Sequence, residues 1–357
     1  MNPAALIPTP DAIPVPWGWF YVLLMLTFLL HILVMNAMLG GGIISLISIL
    51  RGGEQNLLLS KEFSYKWPYT IAFAVNMGVA PLLFVQVLYG QFIYSSSILM
   101  AVWWFAIIGL LILAYYAAYI YDFKFDVLGG LRIFILEFAV LIMLLIAFFF
   151  TNNMTLMLQP DKWFAYFSNG GGTLLNLSDP SLIPRYFHFV IGAVAVAGLY
   201  LALVGHFRFT KSQVDRDALI DKGMRYFTVA TGIQILFGLW FLIALPKNIM
   251  MVFMGGSGYG TILLLLGLIL AGVALYFGYR KQLINASVAT LVLLVVMILM
   301  RDLVRIAYLE PYFKVADLTV QPEYSPMIFF LVVFVAGLAL IGYMLKLAFG
   351  CRKEVTK

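Results

Sequence analysis

Stretches of about twenty apolar residues, each broken by a short polar segment, recur along the whole chain. Such a stretch is what an α-helix needs to cross a hydrocarbon layer about 30 Å thick. Nine of them are found, near 19–48, 68–92, 97–120, 129–151, 185–207, 225–245, 259–279, 286–309 and 326–349. They predict an all-α integral membrane protein with nine transmembrane helices in one domain over 19–349. A Pro-rich external arm, 1–18, precedes that domain, the longest interruption is the loop 152–184, and a basic tail, 350–357, follows it. The arm has no basic segment before an apolar core, so it does not read as a cleavable signal peptide. It ends at Trp17 and Trp19, whose amphipathic rings suit the headgroup layer. The first span is long for one crossing and is expected to tilt. Gly40, Gly41 and Gly42 within it allow close helix approach.

Charge then orients the spans. Hydrophobic residues make up 64% of the chain and charged residues 11%. Of the 22 Lys and Arg, sixteen fall on one side if the segments near 49–67, 121–132, 208–225, 280–285 and 346–357 share it. The other side keeps Lys162, Arg185, Lys247, Arg301, Arg305 and Lys314. Basic loops stay in the cytoplasm, so the N-terminus is expected outside and the C-terminus inside. The net charge of +6 is therefore a topology signal, and no nucleic-acid partner need be invoked. The bilayer is the partner that composition implies, in a prokaryotic cytoplasmic (inner) membrane.

Cysteine and histidine usage narrows the chemistry. Cys351 is the only cysteine, so neither an internal disulfide nor an iron–sulfur site can form, and without a CxxCH there is no covalent c-type haem. Only three histidines occur. His188 lies at the outer entrance of the fifth span in DPSLIPRYFHFVIG, one turn after Arg185. Imidazole is the commonest axial ligand of haem iron, and Arg185 could then pair with a propionate; an interfacial histidine in a polar rim is the alternative. His31 lies deeper, roughly 18 Å along the first span, where an imidazole must be hydrogen-bonded or metal-bound. Asn36, about a turn further on, offers a structural partner. His206 shares a face with His188 about 27 Å away, yet sits beside Arg208 on the basic side, which makes a solvated histidine the cheaper reading than a haem ligand.

Other polar residues in the spans complete the candidates. Glu137 can relay protons or hydrogen-bond a neighbouring helix. In LMRDLVRIAY, Arg301 and Arg305 lie four apart with Asp302 beside them. This set can clasp propionates and supply a carboxylate ligand, or simply snorkel at a helix end. Met250, Met251 and Met254 cluster before the seventh span on the side of His188, and a thioether can serve as a second axial ligand.

The segments HILVMNAMLG, VNMGVAPLLFVQVLYG, FFTNNMTLMLQP and DPSLIPRYFHFVIG, in that order, resemble the haem-bearing large subunit of cytochrome bd-type quinol oxidases. The likeness covers roughly the first 240 residues in wording and the whole chain in span count. It implies a nine-helix bundle with the N-terminus outside and haem b near the outer face. It implies His31 as the axial ligand of a high-spin haem pair, and His188 as a ligand of a low-spin b haem with Met254 opposite, Met251 being the fallback. Asp302 then stands where the family has a Glu ligand, with Arg305 following.

Three departures modify that expectation. The family's long external quinol-binding loop is here cut to PKNIMMVFMGGSG, its late glycine-arginine-proline-tryptophan sequence is absent, and AVWWFAIIGLL replaces its paired glutamates in the third span. The sequence thus points to a divergent b-type cytochrome passing electrons from quinol or an external c-type cytochrome to oxygen or a partner cofactor, alongside a second membrane subunit. It would act as an oxidoreductase or as an electron-transfer subunit. The alternative is a haem-free anchor of a redox complex that handles quinone or ions. A secondary transporter would show internal repeats with broken helices, which the sequence lacks.

Overall fold

The computed structural model describes residues 2–211 and 213–355, with side chains to residue 347. Cys351 and the tail 350–357 lie outside the described side chains. Among the described residues the chain is helical throughout, and its only β pairing is an isolated bridge between Ile13 and Val320.

Among the described residues nine helices are long and apolar enough to cross a membrane: α1 Trp17–Arg51, α3 Trp67–Leu99, α4 Ala101–Phe123, α5 Leu131–Leu156, α6 Leu182–His206, α7 Arg216–Ala244, α9 Gly258–Tyr279, α10 Leu283–Leu309 and α11, whose apolar part is Tyr324–Leu347. Two short helices, α2 Glu54–Ser64 and α8 Lys247–Met251, sit in the connections. The helices alternate direction, which puts the N-terminal arm, the 157–181 connection, α8 and residues 310–323 at one end, called here the arm end. Residues 52–66, 124–130, 207–215 and 280–282 lie at the opposite end.

The spans form two groups of four, α1 with α3, α4 and α5, and α6 with α7, α9 and α10. The groups meet where α1 crosses α6. A Cβ at Gly40 would collide with the carbonyl of Ala193, so only glycine permits this approach. Gly198 and Gly223 play the same part between α6 and α7. The last span stands apart, and none of its apolar stretch is buried in the chain.

Polar stitching fixes the arm end. The motif at the end of α5 does this: Asn153 accepts from Ser96 at 2.5 Å and donates to Ser97 at 3.0 Å. Asn152 accepts from the Asn176 backbone at 3.0 Å. Asp179 accepts from Gln159 and from the Ser181 backbone and hydroxyl at 2.9–3.0 Å. These bonds fold the 157–181 connection back onto the helix ends, and a turn at Pro160–Phe167 buries Trp163 beneath it. At the opposite end Glu62 of α2 is wholly buried, paired with Lys66 and accepting from the Lys211 backbone at 2.8 Å.

Two irregularities shape the site. Inside α3 the backbone breaks helical geometry at Tyr89, beyond Pro81. Between α8 and α9 the turn Val252–Gly256 is wound wide, with Gly255 at φ 102°.

Candidate functional site

His31 faces α3. Its Nδ1 donates to the carbonyl of Ala74 at 3.0 Å, and its ring lies against Gly78, where a Cβ would stand 2.9 Å from Cε1. That hydrogen bond orients the ring and leaves the Nε2 lone pair free, which is how a metal-binding imidazole is normally held. Phe28 flanks the ring, with centroids 6.4 Å apart.

His188 repeats this plan on the other helix group. Its ring faces α7 against Gly238, where a Cβ would stand 3.1 Å from Cε1. Phe241 lies 6.4 Å away by centroids, and the Arg185 guanidinium covers that same Phe241 ring at 5.0 Å. Here, however, Nδ1 is buried with no hydrogen-bond partner. At 1.5 Å per residue, His31 is about 13 Å and His188 about 8 Å from the α1–α6 crossing, both toward the arm end.

Three arginines converge near these rings. Arg301 lies over Phe28, 4.4 Å from its centroid, which links it to His31. It also points at the Met154 sulfur at 3.9 Å and is within electrostatic reach of Arg305 and Arg185. Arg305 pairs with Asp302 at 2.5 Å and lies 4.6 Å over the Tyr89 ring, at the break in α3. Asp302 is 1% exposed and also accepts from Tyr21 of α1 at 2.7 Å. Asp179 is a carboxylate within electrostatic reach of Arg185, but it already accepts three hydrogen bonds within its own connection. The Nε atoms of Arg185 and Arg305 are buried without partners. Three guanidinium groups thus face two committed carboxylates in a region sheltered from water. Arg305 is buried and Arg185 and Arg301 are half-buried, and cations in this proportion inside apolar spans favour further anionic groups.

The remaining candidates lie elsewhere. Met254 is 53% exposed in the wide turn, whereas Met250 packs inward with Phe241 and Tyr308. His206 is exposed at the far end of α6, edge-on to Phe207. Glu137 is exposed on α5 between Phe134 and Phe138, which are 66% and 48% exposed. Asn36 is buried, and its Oδ1 finds no partner. At the arm end a cavity of about 600 Å³ opens between the 158–162 and 178–180 segments and the ends of α7 and α10. Tyr308 and Asp179 line it and are also the electrostatic neighbours of Arg185.

These residues are of the types that side-chain ligation of haem needs. Each of two imidazoles lies on a glycine, the Nε2 of one is left free by its backbone hydrogen bond, and unpaired guanidinium groups stand ready for propionates. Among the described residues no three His, Cys, Asp or Glu side chains gather into a site for a bare metal ion. Compared with known proteins, the chain matches no protein-family model, no curated sequence and no solved structure. Sequence reasoning missed Tyr21, Tyr89, Gly78, Gly238 and Gln234. Only Gln234, an amide inside an apolar span, left a signal that could have been read.

Proposed function

We propose that this chain is a membrane-bound b-type cytochrome similar to the haem-bearing subunit of cytochrome bd oxidases, oriented with its N-terminus outside. The observation that carries the reading is a set of three arginines, Arg305 buried and Arg185 and Arg301 half-buried, beside two glycine-seated imidazoles. Haem b held there would supply a one-electron iron couple.

The chain's own residues then have definite tasks. His31 would hold haem iron through Nε2, with the Ala74 carbonyl fixing its tautomer, and His188 would hold a second haem. Arg185, Arg301 and Arg305 would neutralise propionates, and Asp302 holds Arg305 in place; to act as a carboxylate ligand it would have to release Arg305 or Tyr21. Met254, exposed in the Val252–Gly256 turn, is the thioether that would serve as the second ligand of the haem held by His188. Glu137 is assigned to proton relay, and His206 to no haem. A quinol or an external c-type cytochrome would deliver electrons at the arm end, where the cavity is lined by Tyr308 and Asp179, the electrostatic neighbours of Arg185. Oxygen or a cofactor of a second membrane subunit accepts them. The host membrane is the cytoplasmic membrane of a prokaryote.

The test is a pyridine haemochrome spectrum of the purified full chain and of its His31→Ala and His188→Ala variants. Each substitution should remove a distinct part of the haem b, and a wild-type chain without haem b would sink the proposal. Oxygen consumption with quinol against reduced cytochrome c then identifies the donor.

A further inference from the structure

The two imidazole seams share one plan and differ in one hydrogen bond. His31 lies on Gly78, and its Nδ1 is satisfied by the carbonyl of Ala74, four residues earlier on α3. His188 lies on Gly238 in the same way, and the residue four earlier on α7 is Gln234. The Gln234 carboxamide rests against Gly192, where a Cβ would stand 3.2 Å from Nε2, and Gly192 is one turn from His188 on α6. Gln234 Oε1 is buried without a donor, and His188 Nδ1 is buried without a partner. An acceptor and a ring nitrogen able to donate thus lie one helical turn apart in the same seam, both unsatisfied. Burying such groups unpaired is unfavourable. Arg185 Nε, the other orphaned donor on this part of α6, lies on the far side of His188 from Gln234.

We propose that Gln234 is the positioning residue of His188: a change of its rotamer brings Oε1 to the imidazole, where it accepts the Nδ1–H. This locks the tautomer that leaves Nε2 free to bind iron, the part that the Ala74 carbonyl plays for His31. Its consequence for iron rests on the cytochrome reading, but its test does not.

With three histidines in the chain, nitrogen-15 histidine labelling gives three imidazole pairs, readable by solid-state NMR of the full chain in bilayers. In wild type His188 should be the Nδ1–H tautomer. Gln234→Met, which keeps the volume and removes the acceptor, should shift its tautomer ratio about tenfold toward Nε2–H, the worth of one hydrogen bond. Gln234→Glu should restore the Nδ1–H form, and the His31 signals should stay fixed in both variants, reporting an intact fold. In haem-bearing preparations, Gln234→Met should also weaken retention of the His188-dependent haem by about tenfold or more. His188 signals identical in wild type and Gln234→Met would overturn the assignment, because the backbone carbonyl would then be the acceptor. A chain that lacks haem yet shows the tautomer shift would sink the cytochrome reading and uphold this one.

Discussion

The α1–α3 seam around His31 and the α6–α7 seam around His188 solve one problem with different materials. Both seat an imidazole on a glycine of the next span. In the first, the backbone of α3 supplies the hydrogen bond, and Tyr21 fastens the same helix α1 to Asp302 on α10. In the second, no backbone group completes the imidazole; in both, an arginine covers the neighbouring aromatic face, Arg301 over Phe28 and Arg185 over Phe241. A backbone acceptor cannot be removed by substitution, so the first seam is sensitive to helix position and buried charge. The second depends on individual side chains and is the easier one to retune.

Substitutions can separate the two seams. The largest effect is expected from Asp302→Asn, which leaves Arg305 uncompensated in the interior. Stability should fall by about 3–5 kcal/mol in thermal unfolding followed by circular dichroism. Haem dependent on His31 should go first, and a loss below about 1 kcal/mol would mean the pair is hydrated. Next comes added bulk beneath the rings. Gly78→Ala places a methyl 2.9 Å from the His31 ring and 3.0 Å from its Nδ1, against 3.1 and 3.4 Å for Gly238→Ala at His188. Overpacking of this kind costs about 1–3 kcal/mol. Haem titration should show the Gly78 variant as the weaker binder; equal losses would dissolve the distinction between the seams. Tyr21→Phe removes one hydrogen bond to a charged group and should cost about 1.5 kcal/mol, with no change in the His188-dependent spectrum.

The smallest effect is expected far from both seams. Lys61 of α2 donates to Asp126 at 2.7 and 2.8 Å, and that hydrogen bond holds the ammonium above its ordinary lysine value. The folded state therefore binds this proton more tightly than the unfolded chain. The resulting stability is complete below the ordinary lysine value and is lost as pH rises through the raised one. Lys61→Ala should cost less than about 1 kcal/mol near neutral pH, as exposed pairs do, and nothing in strongly alkaline solution. A larger loss at neutral pH would mean that α2 anchors the α1–α3 seam from the opposite end.

Hydropathy alone made the spans legible, because each crossing must be apolar along its length whatever it touches. The expected starts and ends fall close to the observed ones for α4, α9 and α10. Where they differ, polar or charged residues are the reason: α3 runs on through Ser95, Ser96 and Ser97 and α5 through Asn152 and Asn153. Helix α7 begins at Arg216 rather than near 225, because charged residues end an apolar window without ending a helix. Helix α2 escaped notice because its buried residues include Ser60 and Glu62, which hydropathy scores as exposed. His31, His188 and the arginines could be found as rare polar groups in apolar runs. Their partners could not. That Gly78 meets His31 and Gly238 meets His188 is a property of how two helices cross, and nothing in either helix alone records it. The same holds for Glu137, whose place in a span was readable but whose outward direction was not.

The bridge between Ile13 and Val320 joins the residues just before the first span to those just before the last. Three backbone hydrogen bonds complete the joint, Ile13 to Thr319, Gln321 to Ile13 and Glu323 to Pro14, each 2.9 Å long. A chain made from its N-terminus commits the arm early and reaches its partner segment only after eight spans have been threaded. The joint is therefore a late clasp in biogenesis, closing a circuit around the whole bundle. Cutting or tagging the arm would release the final span while leaving the two helix groups assembled.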